Sequence, residues 1–430
     1  MKKKLLFLFV GALSLGVSGC TLGTDERSTT SIKPTSSTST SEEDEGEIDW
    51  AGALIINEQN PNAVESSIKQ VIQHNGTTDN KTVLYRIAGT VEYPTDYSYG
   101  NFDLVDKTGN INVYGLSKLS SSITYSGGEY SFRNKATFGS LNIKAGDLIE
   151  IEGIYKYYSY SGEGGVPEFQ GYPTKHLKKN IPAIEPVSYT QAEPTDQSGS
   201  YYSSISSSLK GDSLLGELHN LMTNTHQNFL DYYGLSSHFR YSDNYNGSYY
   251  RCFYSGSRCT QLSREHVWAQ SLSGGLFGKE YAGSDLHHIR PCNEDINSER
   301  SNALFGIVYG PKSGMNSFAY EGGDKVYYTR GVFEPDNSIK GDIARIIMYV
   351  YLHYTKRSGD TQRYYSESAL KFENIMSPRT KIEAINLLRK WNAEDPVSSA
   401  EISRNNYVYS VQGNRNPFID HPKYADMIWG

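Results

Sequence analysis

Apolar positions change their spacing about halfway along the chain. From Leu54 to Lys179 they come in short runs broken by turn residues. Val83 to Val91 alternates in part, Asn101 to Val105 runs into Asp106-Lys107-Thr108-Gly109, and Ile111 to Gly115 follows. That order reads as strand, tight turn, strand, because Asp and Gly supply the turn between two pleated runs. Ala145-Gly146-Asp147 introduces a further strand over Leu148 to Tyr158. Past residue 200 the spacing turns helical. It is broken over Ser206 to Tyr232 but clear over Gly341 to Tyr354, through Ile343, Ile346, Ile347, Val350 and Tyr351. Arg379 to Trp391 repeats it through Ile382, Ala384, Ile385 and Leu388. The expected class is α+β, with an all-β unit first and a mixed, mainly helical unit second.

The ends and joins set five segments. Residues 1–20 carry Lys2, Lys3 and Lys4 before an apolar run from Leu5 to Val17, too short for a permanent span of about 20 residues. The run ends Val17-Ser18-Gly19-Cys20, which resembles a bacterial lipobox with Cys20 as the lipidated residue. Residues 21–49 are Ser/Thr-rich and then acidic, the composition of a disordered tether. Residues 50–180 hold the strand runs, with glycines at Gly89, Gly109, Gly146 and Gly153, and their pattern resembles an OB-fold barrel. Such barrels stack bases on exposed aromatics, and Tyr85, Phe102, Tyr114, Tyr155, Tyr157 and Phe169 are the candidates; filling the barrel is their bland alternative role. Residues 181–200, with Pro182, Pro186 and Pro194, form a linker to the second domain, 201–430.

Composition changes this picture little. Apolar content is modest at 37%, and 35 tyrosines supply amphipathic contact area. A net charge of −7 looks unsuited to a polyanionic partner, but Glu42, Glu43, Asp44, Glu45, Glu47 and Asp49 concentrate much of it in the tether. Export would leave Cys252, Cys259 and Cys292 in an oxidising compartment. Cys252 and Cys259 flank a short polar loop and are the candidate disulfide, with Cys292 unpaired.

The chemistry concentrates in Arg264-Glu265-His266-Val267-Trp268, Asp285-Leu286-His287-His288-Ile289 and Asn297-Ser298-Glu299-Arg300-Ser301-Asn302. Glu265 and Asn297 are the hard oxygen donors that Mg²⁺, Mn²⁺ or Ca²⁺ accepts. His266, with an ordinary pKa of about 6.5, is the general base for attack of water on a phosphodiester. Adjacent strand residues face opposite ways, so Glu265 and His266 share a target only if the strand ends or twists there. A backbone carbonyl on the other ring nitrogen should orient His266. Asp285, His287 and Ile289 would share a face of a second strand, and a helix over Glu294 to Leu304 would follow.

These segments, with Gly341-Asp342-Ile343-Ala344-Arg345 and the tail Gln412 to Pro422, resemble bacterial endonuclease I, a branch of the His-Me finger (ββα-metal) nucleases. The match spans about 200 residues. The resemblance implies a sequence-nonspecific, Mg²⁺-dependent endonuclease acting on DNA, with RNA as a second substrate. His266 would be the base, Glu265 and Asn297 the metal ligands. Arg264, His287, Arg300 and Asn302 would line the site or meet phosphate. Some relatives place an arginine between the two strands; here Ala269 to Ser284 holds only Lys279 as a cation. Asp342 and Arg345 are expected as a buried ion pair, and the tail around Arg415 and His421 as support for the fold. The whole would be a monomeric protein held on the outer membrane face by lipid.

Two other classes compete. His266, His287, His288 and Cys292 could supply the N and S ligands of a zinc site, although no His-Glu-x-x-His or Cys-x-x-Cys spacing accompanies them. Alternatively the protein is a surface lipoprotein that binds nucleic acid or polysaccharide, with an inactive nuclease domain.

Overall fold

A computed structural model describes residues 47–430 apart from 97–99, 135–137, 160–163, 359, 361–363 and 379. The leader, Cys20, most of the tether and Arg379 lie outside the described residues. Glu47–Gly430 forms one compact unit.

The first part is a sheet with a short helix on it. Helix α1 (Ile68–Asn75) opens with a capping box in which Ser67 and Gln70 exchange side-chain and backbone bonds. Five main strands follow: β1 (Asn80–Asp96), β2 (Asn101–Asp106), β3 (Gly109–Val113), β4 (Leu148–Ser159) and β5 (Gly165–Leu177). The expected strand, tight turn, strand is β2, Asp106 and β3; Asp106 Oδ1 accepts from the backbone N–H of Thr108 and Gly109. Antiparallel pairs join β1 to β2, β2 to β3, β4 to β5 and β1 to β4, while β3 and β5 run parallel. Two short strands, Leu54–Ile55 and Val64–Glu65, extend these five into a seven-stranded sheet. Gly153 and Gly171 face each other across β4 and β5; a Cβ on Gly171 would sit 2.0 Å from the Glu152 carbonyl oxygen.

The six candidate aromatics divide between the two roles open to them, and most fill the core. Tyr85, Phe102, Tyr155 and Phe169 are buried in the core of this sheet with Ile87, Leu104 and Ile151. Tyr157 is half-buried against that core, and Tyr114 alone of the six is strongly exposed. Rings of this size are worth more to a small core than to solvent.

Residues 181–200 contain no helix or strand. The second part holds α2 (Gly211–Thr225), α3 (Leu235–Ser242), α4 (Glu294–Arg300), α5 (Lys340–Tyr354), α6 (Lys381–Glu394) and α7 (Ser399–Gln412). Helix α5 is buried along nearly its whole length and packs against α2 and α6 at the centre of the main core. A four-stranded sheet of short strands (Leu304–Phe305, Asn316–Ala319, Lys325–Tyr328 and Val332–Glu334) lies beside it in sequence. Glu92 of β1 accepts hydrogen bonds from the Tyr309 and Gly310 backbone at 2.6 and 2.5 Å, and Val105 packs among Leu304, Val308, Met315 and Val332. The sheet and the helical part therefore share a packed boundary.

Candidate active site

Two strands and a helix position the candidate residues. Strand β6 (Leu262–His266) pairs antiparallel with β7 (Ile289–Asn293), Glu265 opposite Arg290 and His266 opposite Ile289. Asn293 then caps α4, accepting from the backbone N–H of Asp295 and Ile296, while Glu294 and Asp295 favour the positive end of the helix. The helix is shorter than expected. It stops at Arg300 because Ser301 takes φ 47°, and Leu304 belongs to a strand. Asp285, His287 and Ile289 do not share a strand face either: β7 begins at Ile289, and Asp285 to His288 form the turn that feeds it.

Strand β6 ends at His266, which lets two consecutive residues reach one cleft. That cleft, about 450 Å³, is lined by Arg264, Glu265, His266, Asn297, Arg300 and Asn302 among others. Glu265 is 2% exposed. Its Oε1 accepts from the Tyr254 hydroxyl at 2.6 Å and meets Arg300 at 3.3 Å, which leaves Oε2 for another partner. Burial pushes its carboxyl above the usual range, against the pull of Arg300 and Tyr254. Asn297 donates its Nδ2 to Ser263 Oγ at 2.7 Å, so the amide oxygen is the uncommitted end.

His266 stacks on Tyr232, hydrogen-bonds the Gly278 backbone and has no partner at Nε2. Burial lowers its pKa to about 4, so the ring is a neutral proton acceptor at neutral pH. Arg300 binds the carbonyls of Val267 and Ser301 besides Glu265, tying helix to strand while still lining the cleft. Arg264 binds the Tyr233 carbonyl and Ser236. Lys279, the lone cation of its segment, rests on Tyr233 and is not in the cleft lining.

His287 lies elsewhere. It is buried, hydrogen-bonded through Nε2 to the Asn414 carbonyl and packed on Tyr349. His288 has both nitrogens engaged, Nδ1 with the Ala282 carbonyl and Nε2 with the Trp268 N–H. With His288 so committed, the four-residue zinc cluster does not form. Among the described residues the gathered metal-capable group is His226, Asp285 and His353, buried, with ligand atoms within 4.8 Å of one another. Its donors are largely occupied: His226 Nδ1 meets His353 Nε2 at 3.0 Å, and Asp285 accepts from Tyr349, Tyr354, Gln412 and the His287 N–H. Cys252, Cys259 and Cys292 are free buried thiols, and Cys252 Sγ lies 3.8 Å from Cys292 Sγ, the thiol expected to stand alone.

The tail supports this scaffold. Gln412 holds both Asp285 and the Leu286 N–H, and Arg415 pairs with Asp420 through two nitrogens. Asp342 does meet Arg345, at 3.4 Å, but the stronger partner is Glu401 at 2.7 Å. Sequence reading missed Tyr254, Tyr232, Glu401 and the Asp285 hub. None carries a spacing signal, since each meets its partner only through the fold.

A strand, strand and helix thus bring an acid, an imidazole and an amide to one cleft beside two arginines. The chain belongs to the endonuclease I family, whose family model, described as Endonuclease I, matches residues 196–423. It is 37% identical over 179 residues to an extracellular ribonuclease of Bacillus amyloliquefaciens, covering 40% of this chain and 56% of that protein. It is also 26% identical over 136 residues to Endonuclease-1 of Buchnera aphidicola subsp. Baizongia pistaciae, covering 32% of this chain and 46% of that protein. An extracellular deoxyribonuclease of Aeromonas hydrophila is 25% identical over 138 residues, or 32% of this chain and 48% of that protein. The chain spans about half the length of the curated relatives it matches.

Proposed function

We propose that this chain is an exported, divalent-metal-dependent endonuclease that hydrolyses phosphodiester bonds in DNA and RNA. The observation that carries the reading is the convergence of Glu265, His266 and Asn297 on one cleft. The names of the relatives, a ribonuclease and a deoxyribonuclease among them, support both substrates.

The donor set fits a hard cation. Glu265 Oε2 and the Asn297 amide oxygen are the oxygens left over once Tyr254, Arg300 and Ser263 are satisfied. Mg²⁺ held there would neutralise charge on the phosphoryl oxygens. The neutral His266 ring takes the proton of the attacking water at Nε2, while its bond to the Gly278 backbone fixes the ring plane. Arg264 and Arg300 supply the cleft's positive charge; one of them would assist the departing oxygen.

Residues 50–180 form an OB-like nucleic-acid module, which the strand pairing and the parallel β3–β5 pair support. Residues 1–20 would be cleaved, and lipid on Cys20 would hold a monomer at the outer membrane face through the tether.

Supercoiled plasmid tests the activity. Purified protein with Mg²⁺ should nick and then fragment it, and EDTA should stop the reaction. His266→Ala should cut about 10²–10⁴-fold more slowly. Absence of nicking over a wide protein range, or full activity in His266→Ala, refutes the reading.

A further inference from the structure

The cleft beside His266 has a neighbour. Ser301 and Asn302, at the end of α4, line both that cleft and a second groove of about 620 Å³. The second groove is walled by β3 and β5 of the sheet on one part and by the helical part on the other. Four of its residues are amides: Asn110 and Asn112 on β3, Asn302 after α4, and Asn316. Ile111, Val166 and Pro167 add apolar surface, and Arg330 adds a cation.

This lining suits bases more than phosphates. A groove that follows a duplex backbone needs several cations, and here the lining has Arg330 against two acids, Asp103 and Glu299. Asp103 is buried and hydrogen-bonded by Asn112, which turns the charge inward. Amide side chains present donors and acceptors together, the complement of unpaired base edges, and the apolar wall receives a base face. Duplex bases have those edges engaged with each other.

We propose that this groove binds unpaired bases of the same polynucleotide strand whose phosphodiester lies at His266. The proposal rests on the nuclease reading of the neighbouring cleft. It makes the sheet a wall of the substrate track, and it makes single strands the favoured substrate form.

The test uses the full chain carrying His266→Ala, with a fluorescent 12-nucleotide single strand and the matching duplex, in EDTA. Fluorescence anisotropy should show the single strand bound several-fold tighter. Adding Asn110→Ala with Asn112→Ala, or separately the exposed Asn316→Ala, should weaken single-strand binding about 5–10-fold, the scale of one or two lost hydrogen bonds. In the active protein the same changes should raise KM for long single strands at unchanged kcat, and should leave cleavage of a dinucleotide, too short to reach the groove, unaltered. Equal binding by parent and groove variants, equal loss for strand and duplex, or a parallel fall in dinucleotide cleavage overturns the proposal. If the native chain cuts nothing yet binds the single strand through these amides, the nuclease reading falls and the groove stands.

Discussion

At Glu265 burial and charge pull in opposite directions. A carboxylate proposed to hold a cation is almost wholly buried, and burial alone favours its neutral form. Arg300 and the Tyr254 hydroxyl are what keep the charge affordable to the fold. Tyr254→Phe removes one donor and keeps the ring, which packs at 4.9 Å from Phe333. The half-activating Mg²⁺ concentration should rise about 10-fold, as for other groups that orient metal ligands, while the rate at saturating Mg²⁺ is kept. A metal titration of plasmid nicking measures this, and an unchanged midpoint would remove Tyr254 from the site. The adjacency of Glu265 and His266 was legible because it is covalent. Tyr254, eleven residues earlier, was not, since only the return of the chain brings it to Oε1.

Among the elements, α5 carries a fully buried charge. Arg345 is fully buried on it and is held by Glu401 of α7 through two bonds, at 2.7 and 2.8 Å. The spacing of Asp342 and Arg345 on one helix predicted an ion pair, and that pair exists. The partner across the helix packing was invisible, because no local pattern relates residue 345 to residue 401. Glu401→Ala leaves a buried guanidinium short of its main acceptor and also removes the α7 capping box. Urea unfolding should show a loss of about 3–5 kcal/mol. A loss under about 1 kcal/mol would mean that Asp342 and the Asp395 carbonyl suffice.

Across the whole molecule, Glu92 links the sheet to the helical part. It is buried, accepts from Tyr309 and Gly310 through Oε1, and has no partner on Oε2. Burial raises its pKa to about 8 from a usual 4.5. A carboxyl raised in the folded state costs nothing below the unfolded pKa, and its penalty grows as pH rises from about 4.5 to 8. At about 1.4 kcal/mol per pKa unit, the penalty reaches a few kcal/mol at the upper end. Glu92→Gln should therefore gain thermal stability relative to the parent at pH 8.5 and show a much smaller gain at pH 5. A difference in Tm that does not change with pH would show that Glu92 ionises freely. The same boundary forms the groove next to the His266 cleft, so loosening it should weaken binding of long strands as well.

The strand runs, the central helix and the acid–imidazole–amide set were determined by the sequence alone, because periodicity and covalent adjacency are local properties. Tertiary structure decided the rest. It moved Tyr85, Phe102, Tyr155 and Phe169 from the expected binding face into the core, where apolar burial outweighs exposure. It placed His287 and Asp285 in the buried turn before β7 instead of on a strand, since Gln412, Asn414 and two tyrosines satisfy them there. It also ended β6 at His266, and only that termination turns two neighbouring residues toward one cleft.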